Sequence, residues 1–339
     1  MTEIVNFLIN FLNSLLENSF FNLLFPPVLG LILLVCFLYI LRTIFMVKGR
    51  ESKAFHKTVL LIKVPKEKKG EKPESSSADA NLNQIREEIA VSETLFSAIA
   101  GLKRESGFFS WLKGRNDHVS FEMVVKDSKI SFYVAVPDKT KGFVEQQIHA
   151  QYPHAEITEE PDYNIFKPQS HIVGAYLWLK HKSAFPLKTY KKLDSDPLIA
   201  LLNPLSKILE DEGAIIQCVV RPATGKWRQE GVHIIRDIKK GEKFEDVAKR
   251  GGLTRVLGGF FKFFNSKSKK GEQGMEQKYQ ITQMEEEMVK NMEEKLSRGG
   301  LETTIRIVSS ANNKEKAVLN LENIINAFSQ YNLYRYGNT

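Results

Sequence analysis

The stretch VSFEMVVKDSKISFYVAV, residues 119–136, decides the fold. Val119, Phe121, Met123 and Val125 alternate with Ser120 and Glu122, and Ile130, Phe132, Val134 and Val136 alternate again after the KDSK turn at Lys126–Lys129. A period of two is the mark of a half-buried strand, and two such runs across a short polar turn make an antiparallel hairpin. Upstream, Val59–Val64 reads as a strand and Ser92–Leu102 as a helix, with Leu95, Ile99 and Leu102 on one face and Ser92 as its cap. Downstream, Pro137–Asp138 start a helix that carries Val144, Ile148 and Tyr152 in register, Pro153 stops it, and Ala155–Glu159 is a short strand. The order strand, helix, strand, strand, helix, strand is that of a ferredoxin-like unit, spanning residues 58–160. Within it, the polar and Ser-rich run EKKGEKPESSSADANLN (Glu67–Asn83) predicts a disordered loop over 66–90.

The pattern recurs over residues 170–336. His171–Leu179, Ala214–Arg221 and Thr303–Val308 read as strands. Asp196–Leu209 is a helix with an acidic cap and Pro197 at its first position. Asn313–Tyr331 is an amphipathic helix with Val318, Leu321, Ile324, Ile325 and Phe328 apolar, and Leu333–Tyr336 is a final edge strand. The expected fold class is therefore α+β, with two tandem ferredoxin-like (βαββαβ) units, the second split by a long helical insertion over 226–300. A single mixed α+β domain is the plainer alternative. Inside the insertion, Ile281, Met284, Met288, Met292 and Leu296 form an apolar stripe that packs on the body or on a partner.

The head of the chain is of another kind. Among 339 residues, the first 47 hold only Glu3, Glu17 and Arg42 as charges, although the whole chain carries +8. Residues 26–47 read as a transmembrane helix: Pro27–Val47 would extend about 31 Å, enough to cross a bilayer core. Arg42, Lys48, Arg50 and Lys53 form a juxtamembrane basic group, and the N-terminal flank is acidic. The positive-inside rule then places the N-terminus outside and the body in the cytoplasm, at the cell's inner membrane. There is neither a basic leader nor a small-residue cleavage site to mark a signal peptide. Residues 1–17, with Asn6, Asn10, Asn13 and Glu17 in one polar stripe, read as an amphipathic interfacial helix.

The motifs of catalysis are missing from the sequence. It holds no phosphate-binding G-x-x-x-x-G-K-[ST], no dinucleotide-binding glycine fingerprint, no H-E-x-x-H and no G-x-S-x-G. Seven histidines show no metal-ligand spacing, and two cysteines exclude a disulfide scaffold or a four-cysteine zinc site. The expectation is a protein that is not an enzyme, with no cofactor, no metal and no small-molecule substrate. One segment points to a surface. Lys249–Lys270 joins Arg255, Lys262, Lys267, Lys269 and Lys270 to Phe260, Phe261, Phe263 and Phe264, with no acid. Those residues suit anionic lipids, with nucleic-acid phosphates and an inert loop as alternatives. A second surface is aromatic: Tyr176 and Trp178 share one strand face with Arg306 nearby, a composition that suits a protein partner.

Several segments together resemble a known family. They are ISFYVAVPDKTKGFVEQQIHAQYPHAEI (Ile130–Ile157), DPL (Asp196–Leu198), and LETTIRIVSSA (Leu301–Ala311) followed by LENIINAFSQYN. They are similar to the membrane-anchored region that precedes the motor in bacterial type IV secretion coupling-protein-like ATPases. That resemblance covers most of residues 28–332 and implies a part in conjugative DNA transfer or protein export, without motor residues in this sequence. The expected function is a single-pass membrane-anchored scaffold that docks a secretion ATPase or another secretion component. The alternative is a membrane-tethered nucleic-acid-binding module that uses segment 249–270.

Overall fold

The computed structural model describes residues 19–52, 57–65, 78–193, 195–242, 246–247, 281–334 and 337–339, the backbone alone for 19–25, 48–52 and 78–81. The chain forms two compact units, 1–56 with 105–116 and 57–104 with 117–339.

The first unit holds α1 (Ser19–Ser52), whose Pro26–Val47 portion is long and apolar enough to cross a membrane. Pro26 and Pro27 lie inside this helix and not in its first turn, because the helix begins at least a turn earlier. Neighbouring residues can re-satisfy the carbonyls that a proline frees in an apolar helix. The short helix α3 (Phe108–Lys113) packs on α1 within the same unit.

The second unit is mixed α+β around one antiparallel sheet of seven strands. In chain order these are β1 (Lys57–Lys63), β2 (Val119–Lys126), β3 (Lys129–Pro137), β4 (Glu156–Glu160), β5 (His171–Leu177), β6 (Gly213–Pro222) and β7 (Leu301–Ala311). The spatial order is β4-β1-β3-β2-β6-β7-β5. The β2–β3 hairpin closes at Asp127–Ser128, with φ of 50° and 57°. Two successive positive φ angles give the turn whose twist matches the strands it joins. The unexpected pairing is β2 with β6, in register from Val119↔Val220 to Lys126↔Gly213. It fuses what the sequence presents as two units into one continuous sheet.

Alternation then decides the core. Val119 and Phe121 of β2 pack with α2 (Ala78–Ala100) and α4 (Asp138–Gln151) through Leu95, Ile99, Val144 and Ile148. Met123 and Val125, on the same face of the same strand, pack with α5 (Pro197–Leu205) and α8 (Lys314–Ala327) through Leu205, Leu321 and Ile324. All four helices therefore cover one face of the sheet. Cys218 of β6 sits in this layer, where burial pushes its thiol up to about 11 and keeps it protonated. Phe132, expected in the core, is 39% exposed at the margin of that face.

Helices α6 (Lys226–Lys239) and α7 (Gln283–Ser297) leave the end of β6 and return to the start of β7. They form their own core of Ile234, Ile238, Met288, Met292 and Leu296 with Phe185. The methionine stripe is thus spent on packing within the chain, although Met284 is 40% exposed. Thr282 caps α7 reciprocally with Glu285.

Three further expectations change. Residues 78–90, predicted to be a disordered loop, are the first half of α2, and Ser92 lies mid-helix, its Oγ donating to Ile89 O at 2.6 Å. The rest of that loop, 66–77, lies outside the described residues. The helix after Asp196 ends at Leu205 and not Leu209, its cap intact with Asp196 Oδ1 accepting from Leu198 N at 2.8 Å. Leu333 and Tyr334 are not strand. Residues 335–336 and 1–17 lie outside the described residues.

Gly231 offers a test of the α6–α7 packing. Alanine at an ordinary mid-helix glycine stabilises by about 1 kcal/mol. Here a Cβ would stand 2.6 Å from Leu296 Cδ2 and 2.8 Å from its Cδ1 in a closed core. Gly231→Ala should therefore reverse the usual sign and cost about 1–3 kcal/mol in a denaturant titration of the full chain in detergent. An unchanged or raised midpoint would refute the tight contact.

Candidate interaction surface

The face of the sheet opposite the helices is built by the other half of the alternation. One cross-strand row runs Leu61, Tyr133, Glu122, Gln217, Arg306, Tyr176 by direct register. Strands β4 and β5 lie at opposite edges of the sheet, so the ten residues 161–170 must travel its full width. Six interstrand gaps come to about 29 Å, and ten extended residues reach at most about 35 Å. The connection is therefore a strap over the helix-free face, extended until a turn at Lys167–Ser170, where Ser170 N donates to Lys167 O at 3.1 Å, leads into β5. Its Ile165 is buried with Val124 and Ile215, and Tyr163 stacks on Tyr133 with ring centroids 4.7 Å apart. Gly213 is required beneath it, since a Cβ there would lie 2.8 Å from Ile165 O.

Glu122 is the polar centre under the strap. It is 6% exposed and accepts hydrogen bonds from Ser120 Oγ at 2.6 Å, Gln217 Nε2 at 2.8 Å and the Tyr163 hydroxyl. Burial, reinforced by the Glu122 charge, drives the Tyr163 phenol well above its ordinary value, so it remains the donor. At the β1 start, Lys57 Nζ hydrogen-bonds His118 Nε2. Burial lowers His118 to about 4, and the neighbouring Lys57 and Arg221 charges add to the effect. Burial also lowers Lys57 to about 8, opposed by Glu122 and assisted by Arg306. His118 is thus neutral at pH 7 and accepts from the lysine. These contacts tie strands and strap together. Among the described residues, no three His, Cys, Asp or Glu side chains converge as metal ligands would.

Beyond the strap, the β5 edge is open. β5 pairs with β7 and, among the described strands, with nothing else. Ile172 is 53% exposed, Tyr176 54% and Trp178 84%. Arg306 stands opposite Tyr176 across the strand pair, and its Nε is buried without a hydrogen-bond partner among the described residues. The loop after β5 is fixed by the end of the chain: Asn338 is fully buried, donates to Lys182 O and Phe185 O, and accepts from His181 N. Of the residues named from sequence, Tyr176 lies on β5 and Trp178 just after it, and Arg306 lies opposite Tyr176 on β7.

The other sequence-named residues fare differently. Arg255, Phe260, Phe261, Lys262, Phe263, Phe264, Lys267, Lys269 and Lys270 lie outside the described residues. So do Lys53 and the side chains of Lys48 and Arg50. Arg42 lies in α1, its guanidinium 5.1 Å from the Trp111 ring centroid and 6.0 Å from that of Tyr39. Sequence reading missed the Glu122 network, whose key partner Tyr163 lies in a connection without periodicity. It also missed the FFSWLK helix, whose signal was a dense aromatic run ending in a base.

These features define an α+β protein with an apolar helix fit to span a membrane and a sheet closed by helices on one face and by a strap on the other. Residues 72–336 match the family described as a domain of unknown function, DUF8128, and the chain belongs to that family. No curated protein and no solved structure matches it.

The buried His118 gives a pH test. The unfolded chain takes up its proton near pH 6.5, whereas the folded chain resists until about pH 4. The stability tied to neutral His118 is therefore complete above pH 6.5 and is lost as the pH falls toward 4. Replacing His118 with Gln should flatten the slope of unfolding free energy between those values. A slope equal to that of the unsubstituted chain would contradict the buried, neutral imidazole.

Proposed function

We propose that the protein is a membrane-anchored docking protein that binds an extended segment of a protein partner along the outer edge of β5. The observation that carries this reading is that β5, beside Tyr176, Trp178 and Arg306, pairs on one side only among the described residues. An unpaired strand edge offers main-chain donors and acceptors to an incoming strand, and flanking aromatic side chains supply specificity.

Topology supports the same position. The elements β1, α2, β2, β3, α4, β4 and the order β4-β1-β3-β2 fit a ferredoxin-like half. The elements β5, α5, β6, β7, α8 and the order β5-β7-β6 fit a second half that lacks its fourth strand among the described residues. In this reading the place beside β5 corresponds to the place that β4 takes beside β1. A strand from the partner completes the second half there.

The anchor is α1. Its 22-residue apolar portion has a mean hydropathy of 2.5, and none of it is buried by the protein. Lys48, Arg50, Lys53 and Lys57 follow it, which favours a cytoplasmic body at the inner membrane. The likeness of segments 130–157 and 301–332 to the anchored region of type IV secretion coupling-protein-like ATPases makes a secretion or DNA-transfer motor the preferred partner.

Photo-crosslinkers placed at Tyr176 and Trp178 in native membranes should trap one protein, and the same probe at Leu319 on α8 should not. Trp178→Ala should weaken partner binding about tenfold or more, yet change folding stability by less than about 0.5 kcal/mol because the side chain is exposed. Equal trapping from Leu319, or adducts with lipid alone, would overturn the reading.

A further inference from the structure

We infer that α3, the segment FFSWLK at Phe108–Lys113, is a lipid-binding element that lies in the headgroup layer of the membrane crossed by α1. The inference rests on the reading of α1 as a span, but concerns residues more than 50 positions downstream of it.

The helix is short and sharply bounded. Gly107 before it and Gly114 after it have φ of 101° and 81°, which other residues adopt only with strain. Trp111 N bonds back to Gly107 O at 3.0 Å, and Asn116 N donates to Glu105 Oε2 at 2.8 Å, so the loop is a defined structure. Its apolar surface is nevertheless turned outward: Phe108 is 54% exposed, Phe109 is 73% exposed, and no residue of the helix is buried. Adjacent exposed phenylalanines on a six-residue helix are costly in water unless something apolar covers them.

What covers them is indicated by where the helix packs. Trp111 meets Tyr39 edge-on, with centroids 5.9 Å apart, and stacks on Phe108 at 5.8 Å. Arg42 lies over the same indole, and a Cβ at Gly114 would touch Met46 Sδ at 4.0 Å. All three α1 contacts fall in the last turns of the Pro26–Val47 portion. A Tyr–Arg–Trp cluster at the end of an apolar span is the composition of the membrane–water boundary. The exposed phenylalanines are continuous with that surface, and the bases Arg42, Lys113 and Arg115 outnumber the single acid Glu105 in this unit's contact region, which suits anionic headgroups. The occupant of the apolar side is thus the outer acyl and headgroup layer of the bilayer that holds α1, and α3 gives the anchor a second, lateral foothold.

The test uses the full chain with Cys36 and Cys218 replaced by Ala, reconstituted into phosphatidylcholine–phosphatidylserine vesicles. A polarity-sensitive fluorophore is placed at Phe109→Cys, Ile32→Cys or Leu319→Cys, and quenchers are carried at shallow or deep acyl positions. The expected result is at least about twofold quenching at 109 by the shallow quencher, quenching at 32 by the deep one, and none at 319. Quenching at 32 without quenching at 109 would overturn the inference while leaving the span intact. Quenching at 319 equal to that at 109 would also overturn it, since the contact would then be unspecific. No quenching at 32 would remove the span and this inference with it.

Discussion

The antiparallel pairing of β2 with β6, from Val119↔Val220 to Lys126↔Gly213, is the interaction on which the rest of the body depends. Without it, each half would present an open strand edge and a half-covered helix layer. With it, the apolar side chains of β2 serve two helix pairs at once, α2 with α4 and α5 with α8. It also sends β4 and β5 to opposite edges. The short connection between them must then cross the remaining face, and the cluster of Tyr163, Ile165, Tyr133 and Glu122 is the consequence.

That arrangement explains why the polar residues of this face are inward-looking. Glu122 is buried beneath the strap, and three neutral donors satisfy it. A carboxylate held so is a structural tie, because a buried acceptor left unpartnered would cost about 1–3 kcal/mol. The strap runs from one edge strand, β4, to the other, β5, and of these two β5 is the one that carries the exposed Tyr176 beside Trp178. Fold closure and the candidate docking edge are two results of the same topology.

Much of this was legible in the sequence wherever the signal was local. The β2–β3 hairpin follows from strict alternation across Asp127–Ser128, and α4 from Val144 and Ile148 between two prolines. The exposure of Tyr176 and Trp178 agrees with the alternation of β5, which sets Ala175 and Leu177 toward the helices. The failures are non-local. The first half of α2 is too polar to show a stripe, and it is held by tertiary contacts such as Arg86 to Leu193 O at 3.1 Å. The prolines of α1 suit a helix start, and only the preceding residues reveal that the helix is longer. Nothing local in β2 or β6 announces that the two strands meet, since each looks like an ordinary half-buried strand. The Tyr39–Arg42–Trp111 cluster joins residues about seventy positions apart and is invisible to any periodicity.

Amide hydrogen exchange on the full chain in detergent tests the continuous sheet most directly. The account predicts that β2 and β6 amides share the slowest exchange in the protein and open together, because both strands are interior. It predicts that β5 exchanges faster along its outer side. Fast, edge-like exchange in β2 and β6, opening independently of each other, would show two separate sheets and contradict the account.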